Sequence, residues 1–431
     1  MLKEFSVKNY KSFKDEMIFT MEADIDNVSE HSDHLISTKH GDNLLKLGSI
    51  YGPNGGGKTT IIKSILLMRN LITPRLFDMM RELRVNPIDI ETFKFTAKKI
   101  DKYTEMSVFF IDDKYELGYK FSFEKVSTQD GYAIRFDKEN LSFRELGQDQ
   151  FVNLFYRNDD IIESDLLLQE LNMLFFPVSD SISFVTFLEN NHINKSSKNS
   201  KYLDIVARLI KELRSITYFR GIDTQSNERL YDPYFFTSTV TSSKYLDSEI
   251  KTKVVNILNN LDISISDIII KKIDDRRRRV FCEHTIDGKK YLLALEEESE
   301  GTIGLINMLP SIITIIENGG VMIADELDAH LHPKLIKKII EIFGSNLNKN
   351  AQIIFNSHDI WNMTNENFRR DEIWFVYRNS DLASELVCLS DYINYKGEKV
   401  KVRKDAKYCK QYMEGKYGAD PFISKGVLWN V

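Results

Sequence analysis

Residues 52 to 59 read Gly52-Pro-Asn54-Gly55-Gly56-Gly57-Lys58-Thr59, the G-x-x-x-x-G-K-[ST] spacing of a phosphate-binding loop. The chemistry this spacing serves is the holding of a polyphosphate. Glycines let backbone N–H groups curl around phosphate oxygens, and a following helix adds the positive end of its dipole. Lys58 is then placed to reach the β- and γ-phosphates, and the Thr59 hydroxyl to bind Mg²⁺. Asn54, Gly55, Gly56, Gly57 and Thr60 complete the expected nucleotide contacts. The bland alternative is a glycine turn before a helix.

A second group is Val321-Met-Ile-Ala-Asp325-Glu326, an apolar run that ends in two carboxylates. Phosphate-binding loops work with an acid at such a strand end to hold Mg²⁺, which suits Asp325. Glu326 suits the polarisation of an attacking water, a general-base task. The alternative is a solvated strand end. His330 and His332, with Asp328 nearby, have metal-ligand side chains, but Pro333 favours helix initiation and a transition-metal site is not expected. Cys282 and His284 share one strand face, lack partners in the sequence, and are expected in a core or surface role. The tract Lys271–Arg279 holds six basic and two acidic residues. Its Arg276, Arg277, Arg278 and Arg279 suit DNA or RNA phosphates, with a solvated hairpin as the competing reading.

These residues need strands and helices to present them. The apolar run Leu44–Ile50 predicts a strand entering the loop, and Thr59–Ile72 a helix leaving it. Residues 1–23 predict a strand pair. From about residue 92, Tyr115, Leu117, Tyr119, Phe121 and Phe123 alternate with Glu116, Gly118, Lys120, Ser122 and Glu124. That pattern predicts an antiparallel sheet with one buried and one wet face. Asp112-Asp113-Lys114 reads as its hairpin turn. Residues 160–220 read as mainly helical, Asn194–Lys201 as a surface loop, and Ser248–Leu261 as a further helix. No heptad run is long enough for an extended coiled-coil arm. Strand and helix alternate again from Ile263, predicting a mostly parallel sheet. The expected division is residues 1–140 and 263–431 as two parts of one α/β head, with a mainly helical insertion over 141–262.

The chain has 431 residues, 42% hydrophobic and 28% charged, which is the composition of a folded globular protein. A net charge of −6 argues against coating nucleic acid through bulk positive charge. Three scattered cysteines form no disulfide framework. No secretion signal or membrane-spanning run is visible, so a cytoplasmic location is expected.

Further motifs carry a resemblance. Asp325-Glu326-Leu-Asp328-Ala-His330-Leu-His332-Pro333 resembles the Walker B and D-loop run of ABC-type ATPases. Ile353-Ile-Phe-Asn-Ser357-His358-Asp359 resembles their switch-histidine strand, and Glu298-Ser299-Glu300-Gly301-Thr302 stands where they carry the signature that opens a helix. The opening FSVKNYKSF is similar to the SMC and RecF-like branch. The ending Glu414–Phe422 is similar to stand-alone ATPases of bacterial phage-defence systems, the AbiL/RloA-like and PtuA-like relatives of the OLD family. The resemblance does not extend over roughly Leu141–Asp262.

This resemblance implies an ABC-type P-loop head with ATP and Mg²⁺ as cofactors, and at least a homodimer with ATP between two heads. Ser299 and Gly301 would bind the γ-phosphate of the partner's nucleotide, Asp328 would communicate across the interface, and His358 would sense the γ-phosphate. The implied function is an ATP-hydrolysing sensor or regulatory subunit of an anti-phage system that controls a separate effector, with a nuclease as the expected effector. The residues after His358 are too few for a Toprim domain, and Asp371, Glu372, Asp381 and Asp391 lack the pattern of one. Two departures stand out: Glu300 inside the signature, and no glutamine about forty residues after Lys58, where analogy would put the Q-loop. Alternative readings are a nucleotide-locked scaffold with little turnover and a RecF-like DNA-repair ATPase.

Overall fold

The computed structural model describes the chain except for residues 26–29, 39–40, 74–89, 96–100, 129–130, 160, 172–177, 194–199, 221–247, 262, 273–277, 330, 392–401, 404 and 418–431. Arg276, Arg277, His330, most of the expected Asn194–Lys201 loop and the end of the Glu414–Phe422 motif lie outside the described residues.

A seven-stranded antiparallel sheet is built in the order Ile161–Glu163, Val152–Asn158, Gly131–Glu145, Tyr115–Thr128, Thr104–Ile111, Leu2–Lys8, Met17–Thr20. Period-two alternation puts Phe5, Val7, Leu117, Tyr119, Phe121 and Phe123 into the core. The Asp112 carboxylate closes the expected turn by accepting from the Lys114 and Tyr115 N–H groups at 2.7 Å. The opposite face corrects the expectation of a wet surface. Lys120 is exposed there, but Glu116 and Glu124 are buried. Each is paired, Glu116 with Lys3 at 3.1 Å and with Arg144, and Glu124 with Lys102 at 3.1 Å and with Arg135; on the core face, Glu139 stands opposite Phe121 and pairs with the fully buried Arg157 at 2.7 Å. A carboxylate leaves water only when cations and donors replace it, so these positions read as polar yet sit inside.

The second sheet runs Ile216–Arg220, Gly320–Asp325, Ala351–Asn356, Leu47–Tyr51, Ile373–Arg378, Ser384–Cys388, parallel except for the last strand. Its central strands are buried along their whole length, as a sheet covered on both faces requires. Val321 and Ile323 point into the core shared with the antiparallel sheet and the P-loop helix Lys58–Ile72. Met322 and Ala324 point into the core built with the helices Glu300–Asn318 and Pro333–Gly344. The two sheets are stitched together by Gln352, whose buried amide accepts from Leu2 N at 2.7 Å and donates to the carbonyls of Leu2 and Leu45 at 2.9 and 3.0 Å.

The boundary expected at residue 141 falls inside the strand Gly131–Glu145, and Val152–Asn158 and Ile161–Glu163 extend the same sheet. The expected insertion is therefore partly sheet. Its helix Lys201–Arg214 packs into the shared core, and Ile216–Arg220 becomes the edge of the parallel sheet. The helix Ser248–Asn260 joins the other core beside a three-stranded sheet, Asp267–Lys272, Arg278–Ile286, Lys289–Ala294.

Candidate functional site

Parallel strands end on one edge, and here that edge collects Tyr51, Asp325, Asn356 and Arg378. The glycine loop leaves Tyr51 and packs against the neighbouring strand. A Cβ on Gly52 would stand 2.1 Å from the Val376 carbonyl oxygen, and φ is 150°. Gly57 has φ 122°, and a Cβ there would meet Ser384 Oγ at 2.6 Å. Both positions admit only glycine. Ser384 fastens the loop, donating from Oγ to the Gly56 carbonyl at 2.6 Å and from N to the Ser12 carbonyl at 2.7 Å.

Lys58 opens the helix and is buried. Its ammonium donates to the carbonyls of Gly52 at 2.7 Å and Pro53 at 3.2 Å. Burial holds it below the usual lysine range, while the carboxylates of Asp328, Glu326 and Asp325 act the other way. The buried Asp325 accepts from Thr59 Oγ1 at 3.1 Å and from Asn356 Nδ2 at 2.6 Å. The Oδ1 of that same asparagine accepts from the Glu326 N–H. Glu326 has φ 56°, a left-handed conformation that costs a non-glycine residue energy and turns its exposed side chain away from the strand line. Asp328 Oδ2 accepts from the His358 N–H at 3.0 Å, and its buried Oδ1 has no partner among the described residues. The His358 imidazole is held below its ordinary value, first by burial and then by the Lys58 charge, against the opposing carboxylates of Asp328 and Glu326.

These groups open on a cavity of about 550 Å³, in the range of small-ligand sites, lined among others by Lys58, Thr59, Glu326, His358, Lys11 and Arg378. Ser12 also faces it and keeps a buried Oγ without a hydrogen-bond partner among the described residues. Cationic side chains, a helix N-terminus and an orphaned hydroxyl on one side, with hydroxyl and carboxylate oxygens on the other, fit a polyphosphate with a hard divalent cation.

Ser299 caps the helix Glu300–Asn318, its Oγ accepting from Thr302 N at 3.2 Å. Ser299 is exposed, Gly301 is in the first turn, and neither is among the described residues lining the cavity of the same chain. The strand beside Asp325 is Ile216–Arg220, with Arg220 in register with Asp325. The positions about forty residues after Lys58, where the Q-loop glutamine was sought, include residues 96–100, which lie outside the described residues.

Lys11, Ser12, Arg378 and Asn356 were missing from the sequence-based site. The first three reach the cavity through contacts between distant segments. Asn356 carried one signal, a lone polar residue ending an apolar strand. Two histidines take defined partners. His284 does have a partner, Glu298, at 2.6 Å, and His332 caps the helix Pro333–Gly344, its Nδ1 accepting from Lys334 N at 3.2 Å. Asp371 and Glu372 are buried against Arg369 and His34. Arg279 is paired with Glu296 on its own chain.

Residues 49–360, well over half of the chain, match the family described as "AAA domain, putative AbiEii toxin, Type IV TA system". No curated protein matches the chain. Among solved structures, the chain is similar to an SMC head bound to the C-winged helix domain of ScpA, with 15% identity, 90% of this chain and 97% of that one covered, and a TM-score of 0.43. An SMC head domain from Thermotoga maritima is similar at 11% identity over 90% and 98% of the two chains, with a TM-score of 0.41. A Pyrococcus furiosus Smc head with an extended coiled coil, bound to the C-terminal domain of ScpA, gives 15%, 90%, 95% and 0.43. Those likenesses are loose, and the assignment rests on the family match and on the glycine loop, Asp325 and Glu326 meeting at one sheet edge. The chain belongs to this family of AAA-domain P-loop proteins.

Proposed function

We propose that the protein is an ATP-hydrolysing switch whose heads close in pairs on ATP and, in an anti-phage system, control a separate effector such as a nuclease. The observation that carries the ATPase reading is the 3.1 Å contact between Thr59 Oγ1 and Asp325, with Glu326 turned into the cavity beside it. In the nucleotide-bound head Lys58 exchanges its loop carbonyls for β- and γ-phosphate oxygens, and the amides of Gly55 to Thr60 surround the phosphates. Thr59 and Asp325 would hold Mg²⁺, which when bound would neutralise charge on the phosphates. Glu326 accepts the proton of a water as its oxygen bonds to the γ-phosphorus, and the bond to the β–γ bridging oxygen breaks to release ADP. His358 and the signature of a second head, Ser299 and Gly301, meet the γ-phosphate, and Asp328 lies at that junction.

The exposed position of Ser299 at a helix start, away from the cavity of its own chain, supports the paired arrangement. The defence role rests on the resemblance at the chain's C-terminal end.

The test is a Glu326→Gln protein incubated with ATP and Mg²⁺ and followed by sedimentation velocity. A dimer should accumulate with ATP and disperse with ADP, and Ser299→Arg in the same background should prevent it. A sedimentation coefficient indifferent to nucleotide would contradict the paired heads.

A further inference from the structure

The residues just before Ser299 are gripped by a strand to which the ATPase reading gives no role. Arg278–Ile286 is the central strand of the three-stranded sheet, and its partner Lys289–Ala294 runs directly into the segment Leu295–Glu298. Two side chains of the central strand reach over to that segment. Arg279 Nε donates to Glu296 Oε1 at 2.7 Å, and His284 Nε2 meets Glu298 Oε1 at 2.6 Å. The other ring nitrogen of His284 lies 2.7 Å from the Ser264 carbonyl oxygen. The ring is thus held from both sides, between the Ser264 carbonyl and the Glu298 carboxyl group. The buried Cys282 lies beside the same carboxylate, and its thiol is pushed up to about 12 by burial first and the Glu298 charge next, which keeps it a neutral packing group.

We infer that His284 is a positioning residue for the signature: by holding Glu298 it fixes the backbone one residue before Ser299 and so the direction in which the start of the helix Glu300–Asn318 faces a second head. The Ser299 hydroxyl is already used on Thr302, so it caps its own helix without tying that helix start to the sheet. Glu298 makes that tie. This inference rests on the proposed pairing of heads, where a signature displaced by about an ångström loses its contact with the partner's phosphate.

His284→Ala is expected to lower ATP turnover about tenfold, the weight of one charge-assisted hydrogen bond, while single-head binding of a fluorescent ATP analogue stays within about twofold of wild type. His284→Gln keeps a donor for Glu298 and should recover most of the turnover, which separates positioning from a general folding defect.

Mixed dimers give the readout that a merely structural role would not move. His284→Ala mixed with Lys58→Ala leaves one composite site with an intact loop and an intact signature, so activity should return. His284→Ala mixed with Ser299→Arg impairs the signature at both sites and should stay low. Equal activity in those two mixtures, or wild-type turnover by His284→Ala alone, would overturn the inference. Ser299→Arg mixed with Lys58→Ala is the control. Its failure to recover activity would sink the paired-head reading itself, and the inference with it, whereas its success with no gain from His284→Ala plus Lys58→Ala would sink the inference alone.

Discussion

Asn356 holds both halves of the acid pair at once, its amide nitrogen on Asp325 and its amide oxygen on the Glu326 N–H. Replacing it with alanine leaves a buried carboxylate oxygen short of a donor and lets the left-handed Glu326 relax. Asn356→Ala should cost about 1–3 kcal/mol in stability and lower turnover at least about tenfold, with nucleotide binding retained. Denaturant melts and steady-state kinetics check this, and unchanged turnover in a folded variant would contradict it. Lys58, Thr59 and Asp325 were legible in the sequence because their chemistry is local, set by glycines that permit a loop and a strand that ends in acids. Asn356 was not, since its role depends on which strand lies beside Gly320–Asp325. The partner of His284 was not legible for the same reason, lying fourteen residues away across a hairpin.

The element that makes two sheets one head is the Gln352 side chain, which the backbone of Leu2 and Leu45 binds at three points. Gln352→Leu keeps the volume but leaves those backbone groups buried and unpaired, so guanidinium unfolding should show a loss of about 3 kcal/mol. An unchanged midpoint would mean the stitch contributes nothing. The parallel strands were readable as unbroken apolar runs and the Tyr115–Phe123 strand from strict alternation. The extent of the antiparallel sheet was not, because strands after residue 141 carry polar residues that become buried ion pairs, as Arg157 with Glu139 shows. Burial bought by pairing leaves no apolar signature in the sequence.

At the scale of the whole molecule, the site lies at the edge where parallel strands end, while the signature helix opens elsewhere on the surface. One chain holds the glycine loop, the Thr59 and Asp325 oxygens and Glu326, and under the proposed pairing a second head would supply the signature. Among the described residues no helix is long and apolar enough to cross a membrane. The ordering of motifs along the chain made the head legible, but the placement of Ile216–Arg220 beside Asp325 depends on a connection through a region without recognisable motifs. The measurement that bears most directly on the account is steady-state ATP turnover with Mg²⁺ by wild-type protein and by Glu326→Gln, at protein concentrations that allow pairing. Turnover that is present in wild type and lowered at least about a hundredfold in Glu326→Gln, with ATP still bound, is the predicted result; equal rates in the two proteins would contradict it.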